Sequence, residues 1–116
     1  MMVNIGKLDE KIKIYKEQMM LSELNESQPE KVLHKELWAQ IEPRTGSLLS
    51  GRPAETFLSK TTHVLHVRAE AVKDISYDMW IEWADYLGIT HKLYIDYILP
   101  PVRDKQLTTI YAHEEL

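Results

Sequence analysis

Apolar side chains in this chain recur at every second position, a period that commits the backbone to extended strands with one face inward. In Lys11–Lys16, Ile12 and Ile14 alternate with Lys11, Lys13 and Tyr15. From Leu33 to Ile41, the residues Leu33, Leu37, Ala39 and Ile41 share one parity, against His34, Glu36, Trp38 and Gln40. Thr61–Glu70 is rich in β-branched residues and sets His63, Leu65, Val67 and Ala69 against Val64, His66 and Arg68. Asp78–Tyr86 alternates Met79, Ile81 and Trp83 with Trp80, Glu82 and Ala84. Lys92–Leu99 alternates Leu93, Ile95, Tyr97 and Leu99 with Lys92, Tyr94, Asp96 and Ile98, and Gln106–His113 reads as a last strand.

Between these segments lie the residues that stop strands. Asn25–Lys31 is polar, contains Pro29 and has no period, so it reads as an exposed loop. Gly88 supplies a turn near Leu87–Thr90, making Asp78–Tyr86 and Lys92–Leu99 a hairpin. Pro43 and the Pro100-Pro101 pair end strands, and Ala54–Leu58 after Pro53 suits one helical turn. With 116 residues there is room for one core. The expectation is a single all-β domain over 1–116: a six- to seven-stranded antiparallel barrel or sandwich with at most one short helix. Several strands carry large residues on both faces, and a domain this small cannot bury two. Some aromatic surface is therefore expected to meet another chain or to be capped by the Asn25–Lys31 loop.

The charge balance is −4, from 14 basic and 18 acidic residues, and Lys and Arg are nowhere gathered into a cluster. Non-specific DNA binding needs a basic face, so stable binding is not expected. The chain has no cysteine, which removes disulfides, thiolate metal sites and cysteine nucleophiles. No apolar run suits a secretory signal or a membrane span, and a cytosolic product is expected.

The polar residues do not assemble into a catalytic pattern. His63 and His66 are three apart on a strand and so face opposite ways; His34, His91 and His113 fall on other elements. No metal or other cofactor is expected, and exposed strand histidines are the simpler account. Asp74, Asp78, Glu82 and Asp85 lie close in sequence, and paired carboxylates can perform acid–base chemistry. Solvation of a loop and a strand edge accounts for them more simply. No nucleophile elbow surrounds a serine, and the four glycines form no phosphate loop. Arg44 and Arg52 flank the Thr45–Gly51 loop, placed equally well to hold a phosphate or partner carboxylate or to be solvated. Three Trp and six Tyr suit core and interface packing better than a base-stacking platform, which would need a basic groove.

The order of segments carries more. A basic-apolar strand at Lys11–Tyr15 precedes Leu37-Trp38-Ala39-Gln40-Ile41-Glu42-Pro43, then a linker with Gly46, then Thr62-His63-Val64-Leu65-His66-Val67-Arg68. Asp78-Met79-Trp80-Ile81 and Lys92-Leu93-Tyr94-Ile95 follow. From about Ile5 to Glu114 this series resembles the head-closure (head–tail joining) proteins of long-tailed bacteriophages, with their Trp-Ala-x-Ile-x-Pro strand end. The turn Asp85-Tyr86-Leu87-Gly88-Ile89 departs from the family's pattern.

The resemblance implies a non-enzymatic β-barrel subunit, monomeric when free, that joins a ring beneath the portal and adaptor of a DNA-filled head. Its partners would be portal-adaptor proteins, tail proteins and further copies of itself. DNA would pass without stable binding, and no membrane would be involved. Its places would be the bacterial host cytoplasm during assembly, then the virion neck. Within the Pro43–Lys60 stretch, Arg44, Gly46, Leu48, Leu49, Gly51, Arg52 and Phe57 are the expected subunit-interface or channel residues. A tail-completion (tail terminator) subunit is the alternative, and a small nucleic-acid-binding barrel a more distant one.

Overall fold

The computed structural model describes residues 8–43, 61–103 and 105–114. Six antiparallel strands are formed: β1 (Glu10–Leu21), β2 (Ser27–Pro43), β3 (His63–Arg68), β4 (Trp80–Ala84), β5 (Thr90–Ile98) and β6 (Leu107–Glu114). They close into a barrel in the order β1-β2-β3-β6-β5-β4, with β4 pairing back onto β1. Closure removes the sheet edges that a sandwich would leave open. The helical content of the described residues is one 3-10 turn, Ala69–Val72. The turn expected at Ala54–Leu58 lies outside those residues.

Alternation places the core inside the cylinder. Ile12, Ile14, Ala39, Leu65, Val67, Ile81, Leu93, Ile110 and Ala112 are all fully buried. Each buried branched aliphatic contributes about 1.5–3 kcal/mol, so this layer is the main source of stability. The chain from β3 to β4 must reach the strand diametrically opposite, and it does so across the upper mouth. On the way it inserts Val72 and Ile75 into the core. Lys35 fastens this plug: its Nζ donates to the Ala71 carbonyl at 2.9 Å and pairs with the Asp74 carboxylate.

Two bulges overturn the simple parity. At Ile14/Tyr15, Ile14 pairs with Lys35 but Tyr15 pairs with Leu33, leaving His34 as the extra residue. Leu33 therefore leaves the face of Leu37, Ala39 and Ile41 and is exposed. At Ile95/Tyr97, Asp96 is the extra residue, and Tyr97 pairs with Tyr111 while Ile98 pairs with Ile110. Ile98 consequently packs on the core, whereas Leu99 is exposed.

The expected Asn25–Lys31 loop is also corrected. Only Ser22–Glu26 turns; Ser27–Lys31 is strand, paired residue for residue with β1. β4 pairs with β1 no further than Tyr15, and β3 pairs with β2 only from Ala39. Lys16–Leu21 and Ser27–Val32 therefore project as a two-stranded arm, and the molecule measures 53 × 32 × 31 Å.

Candidate functional site

The lower mouth of the barrel is where Glu10, Pro43, His63, Ala84, Thr90 and Glu114 end or begin their strands. Pro43 and Thr61, which bracket the expected interface stretch, both lie at this end. The stretch itself, with Arg44, Gly46, Leu48, Leu49, Gly51, Arg52 and Phe57, falls outside the described residues.

Histidine chemistry closes this mouth. His91 opens β5 between two carboxylates, with Nε2 2.6 Å from Asp85 Oδ2 and Nδ1 2.5 Å from Glu114 Oε2. The hydrogen bond to Asp85, then that to Glu114, raises the His91 pKa above its ordinary 6.5 and favours the imidazolium. The same bond holds Asp85 below the usual carboxylate range. Trp83 stacks on His91 at 5.1 Å between ring centroids and donates its indole N–H to Glu10 Oε2 at 3.1 Å. His63 meets Trp83 edge-on at 5.9 Å, and its burial pushes its pKa down, away from the charged form. Thr62 and His63 are hydrogen-bonded through Oγ1 and Nδ1 at 2.8 Å, and Thr62 Oγ1 accepts the Glu114 amide.

The other histidines follow the same pattern. His113 Nδ1 lies 2.6 Å from Asp96 Oδ1, a carboxylate that the β5 bulge carries and that also accepts from Thr61. His66 lies 3.5 Å from Glu42, and His34 3.2 Å from Asp74. The expectation of exposed strand histidines is thus wrong: His63 is buried and the other four are half-buried against carboxylates. They face the way strand spacing requires, His63 toward Trp83 in the barrel and His66 toward Glu42 and Thr109. Among the described residues no group of His, Cys, Asp and Glu is arranged to hold a metal ion.

The four carboxylates that are neighbours in sequence do not converge. Asp74 binds Lys35, and that contact lowers its pKa. Asp78 accepts from the Ser76 hydroxyl. Asp85 accepts the amides of Leu87 and Ile89 and so builds the β4–β5 turn. Glu82 accepts from Trp80 Nε1 at 2.9 Å and pairs with Lys31 at 2.6 Å. Burial pulls the Glu82 pKa up, but the Lys31 and Trp80 contacts together outweigh it and leave the group acidic.

On the outside, an aromatic row crosses the wall. Register places Leu33, Tyr15, Trp80, Tyr94 and His113 side by side on five successive strands. Tyr15 stacks on Trp80 at 6.3 Å and Tyr94 on His113 at 5.5 Å. Lys31 lies 4.2 Å over Tyr15, and Lys92 4.7 Å over Trp80. The outward rings of β1, β4, β5 and β6 thus cover one another, with lysines over them. Trp38 is 56% exposed. The Asn25–Lys31 segment contributes only Lys31 to this cover, so the expected cap is absent among the described residues.

Among the described residues, the arm carries a group of exposed apolar side chains. Met19, Met20, Leu21 and Leu24 are exposed on or beside its tip. The tip is a built turn: Ser22 Oγ accepts from the amides of Leu24 and Glu26, and Asn25 adopts a left-handed φ of 60°. Sequence reasoning missed the arm because the segment has no buried face and so no apolar period.

Over nearly its whole length the fold is similar to the solution structure of protein SF1141 from Shigella flexneri 2a. The TM-score is 0.69 at 21% sequence identity, covering 97% of this chain and 96% of that one. At that identity the likeness establishes a shared fold. No family model matches the sequence, and no curated protein matches it.

Proposed function

We propose that this chain is a structural, non-enzymatic subunit of phage or prophage assembly, a head-closure connector that works by contact. It would join a ring beneath the portal-adaptor, help retain packaged DNA and offer the tail a docking surface. The observation that carries the reading is the projecting arm: a closed barrel that has no need of it for its core presents Leu21, Met19 and Leu24 to solvent. Exposed apolar clusters of this kind mark protein contacts. The charge of −4 supports a surface over which DNA slides without sticking. The head-closure family is proposed on the resemblance in segment order described above. Assembly in the host cytoplasm and residence in the virion neck follow from the same proposal.

A tail-completion subunit is the second reading, favoured by the same arm and barrel. Incubating the purified chain with DNA-filled, tailless heads carrying portal and adaptor, and separately with tail tubes, separates the two. Negative-stain density at the head exit, with packaged DNA retained, is expected for the chain; heads closed by it should leak when Leu48–Arg52 is deleted. Density only on tail tubes would transfer the chain to tail completion. Binding to neither, or turnover of a substrate abolished by one point change, would refute the assembly role.

A further inference from the structure

We propose that the arm tip of one copy seats on the Leu99–Lys105 loop of a second copy, a head-to-tail contact that repeats along an assembly. The inference rests on the assembly reading above and names the surfaces that would meet.

Topology comes first. In the cyclic order β1-β2-β3-β6-β5-β4, the β1–β2 seam lies directly across the cylinder from the β6–β5 seam. Both the arm and the β5–β6 loop leave the barrel at its upper end, but on opposite sides. A pair of different patches on opposite sides of a subunit is the requirement for a heterologous contact, which generates rings or filaments.

The two patches match in chemistry. The arm presents Met19, Leu21 and Leu24 with, at its tip, the acidic residues Glu23 and Glu26, neither of which forms an ion pair among the described residues. Of its two lysines, Lys31 is held by Glu82. The loop presents Leu99 and Val102 with Pro100 and Pro101, beside the cations Arg103 and Lys105; Asp104 belongs to the same stretch and tempers its charge. Arg68, exposed on β3, pairs with Leu107 at the loop's far end and adds a cation. Apolar-and-acidic meets apolar-and-basic.

Both patches are shaped before they meet. Ser22 and Asn25 fix the tip, and two prolines stiffen the loop, whose base is pinned where Thr108 Oγ1 donates to the Leu99 carbonyl at 2.6 Å. Leu24 is 80% exposed and Val102 62%, so neither is covered within its own chain. A two-stranded ribbon is at best marginally stable in water, and a partner along it removes that weakness. Pro29 and Lys31 on β2 oppose indiscriminate strand addition along the arm, which directs docking to the side chains at its tip.

The absence of native cysteine makes the test clean. Leu24→Cys and Val102→Cys single variants are mixed at low salt and oxidised under mild conditions. The mixed L24C–V102C dimer is expected to exceed both same-variant dimers by at least about tenfold, because only the mixed pair brings opposite charges together. Adding Glu23→Lys and Glu26→Lys to the first variant should cut the mixed product about tenfold, and Arg103→Glu with Lys105→Glu on the second should restore it. A predominant L24C–L24C product, or yields indifferent to the charge changes, would overturn the contact. So would a tip that cross-links only to a foreign polypeptide when heads or tails are added. The head-binding assay is independent: heads closed by a chain lacking the cross-link sink this contact alone, and the cross-link without head binding sinks the connector role alone.

Discussion

His91 and Glu114 are joined at 2.5 Å, tying the start of β5 to the end of β6, while the other nitrogen of the same ring holds Asp85 in the β4–β5 turn. The lower mouth is thus tied by a charge pattern that is strongest when this imidazole is protonated. The His91 pKa is raised above 6.5, so its contribution is complete below the unfolded-state value and is lost as pH rises through the folded one. Asp85 is depressed below 3.8, so its share is present above that value and is lost as pH falls through the folded pKa. The expected outcome is a thermal midpoint that falls as pH rises above about 6.5. His91→Gln should lower the midpoint at pH 6 and flatten the alkaline limb, as followed by circular dichroism across a pH series.

His63 acts with the opposite sign. Burial lowers its pKa, so its neutral ring is stable in the fold above about 6.5 and costs stability progressively as pH falls below that. The groups facing it are Thr62, Trp83 and His91, with the Glu114 charge partly offsetting the burial. His63→Gln should therefore lose less stability than wild type between about pH 6.5 and 5, even if it starts lower at pH 8. A steeper acid limb in the variant would contradict this assignment.

Gly88 sits at φ +83° in the β4–β5 turn, where its amide donates to the Asp85 carbonyl at 2.9 Å. A Cβ built there meets no atom within 4 Å, so substitution is penalised by backbone conformation alone. Gly88→Ala should cost about 1–2 kcal/mol, with Gly88→Asn milder because Asn tolerates the left-handed region. Urea titration at constant slope checks both.

The interior was legible in the sequence because a buried face leaves a period of two: Ile12, Ile14, Leu65, Val67, Ile81 and Leu93 all fall where alternation puts them. Leu33, Tyr97 and Leu99 do not, since a bulge is one extra residue in a ladder and is specified by the partner strand. The arm lacked a signal for a related reason: a ribbon with two wet faces has no apolar alternation to read. The histidine clasp depends on partners far along the chain, His91 with Glu114 and His113 with Asp96, which no local motif records.

The upper plug offers a test that separates local from global stability. Lys35 donates to the Ala71 carbonyl and pairs with Asp74, holding down the segment that buries Val72 and Ile75. Lys35→Ala removes both anchors but leaves the cylinder's ladders untouched. Hydrogen exchange should accelerate at Ile75, whose amide donates to the Val72 carbonyl at 3.2 Å, while amides of Leu65 and Ile110 keep their protection. Ile81→Ala, at a fully buried position in β4, should instead cost about 2–5 kcal/mol and speed exchange at the plug and the barrel wall alike. Uniform acceleration in Lys35→Ala would mean that the plug and barrel unfold as one unit, with no independent closure of the upper mouth.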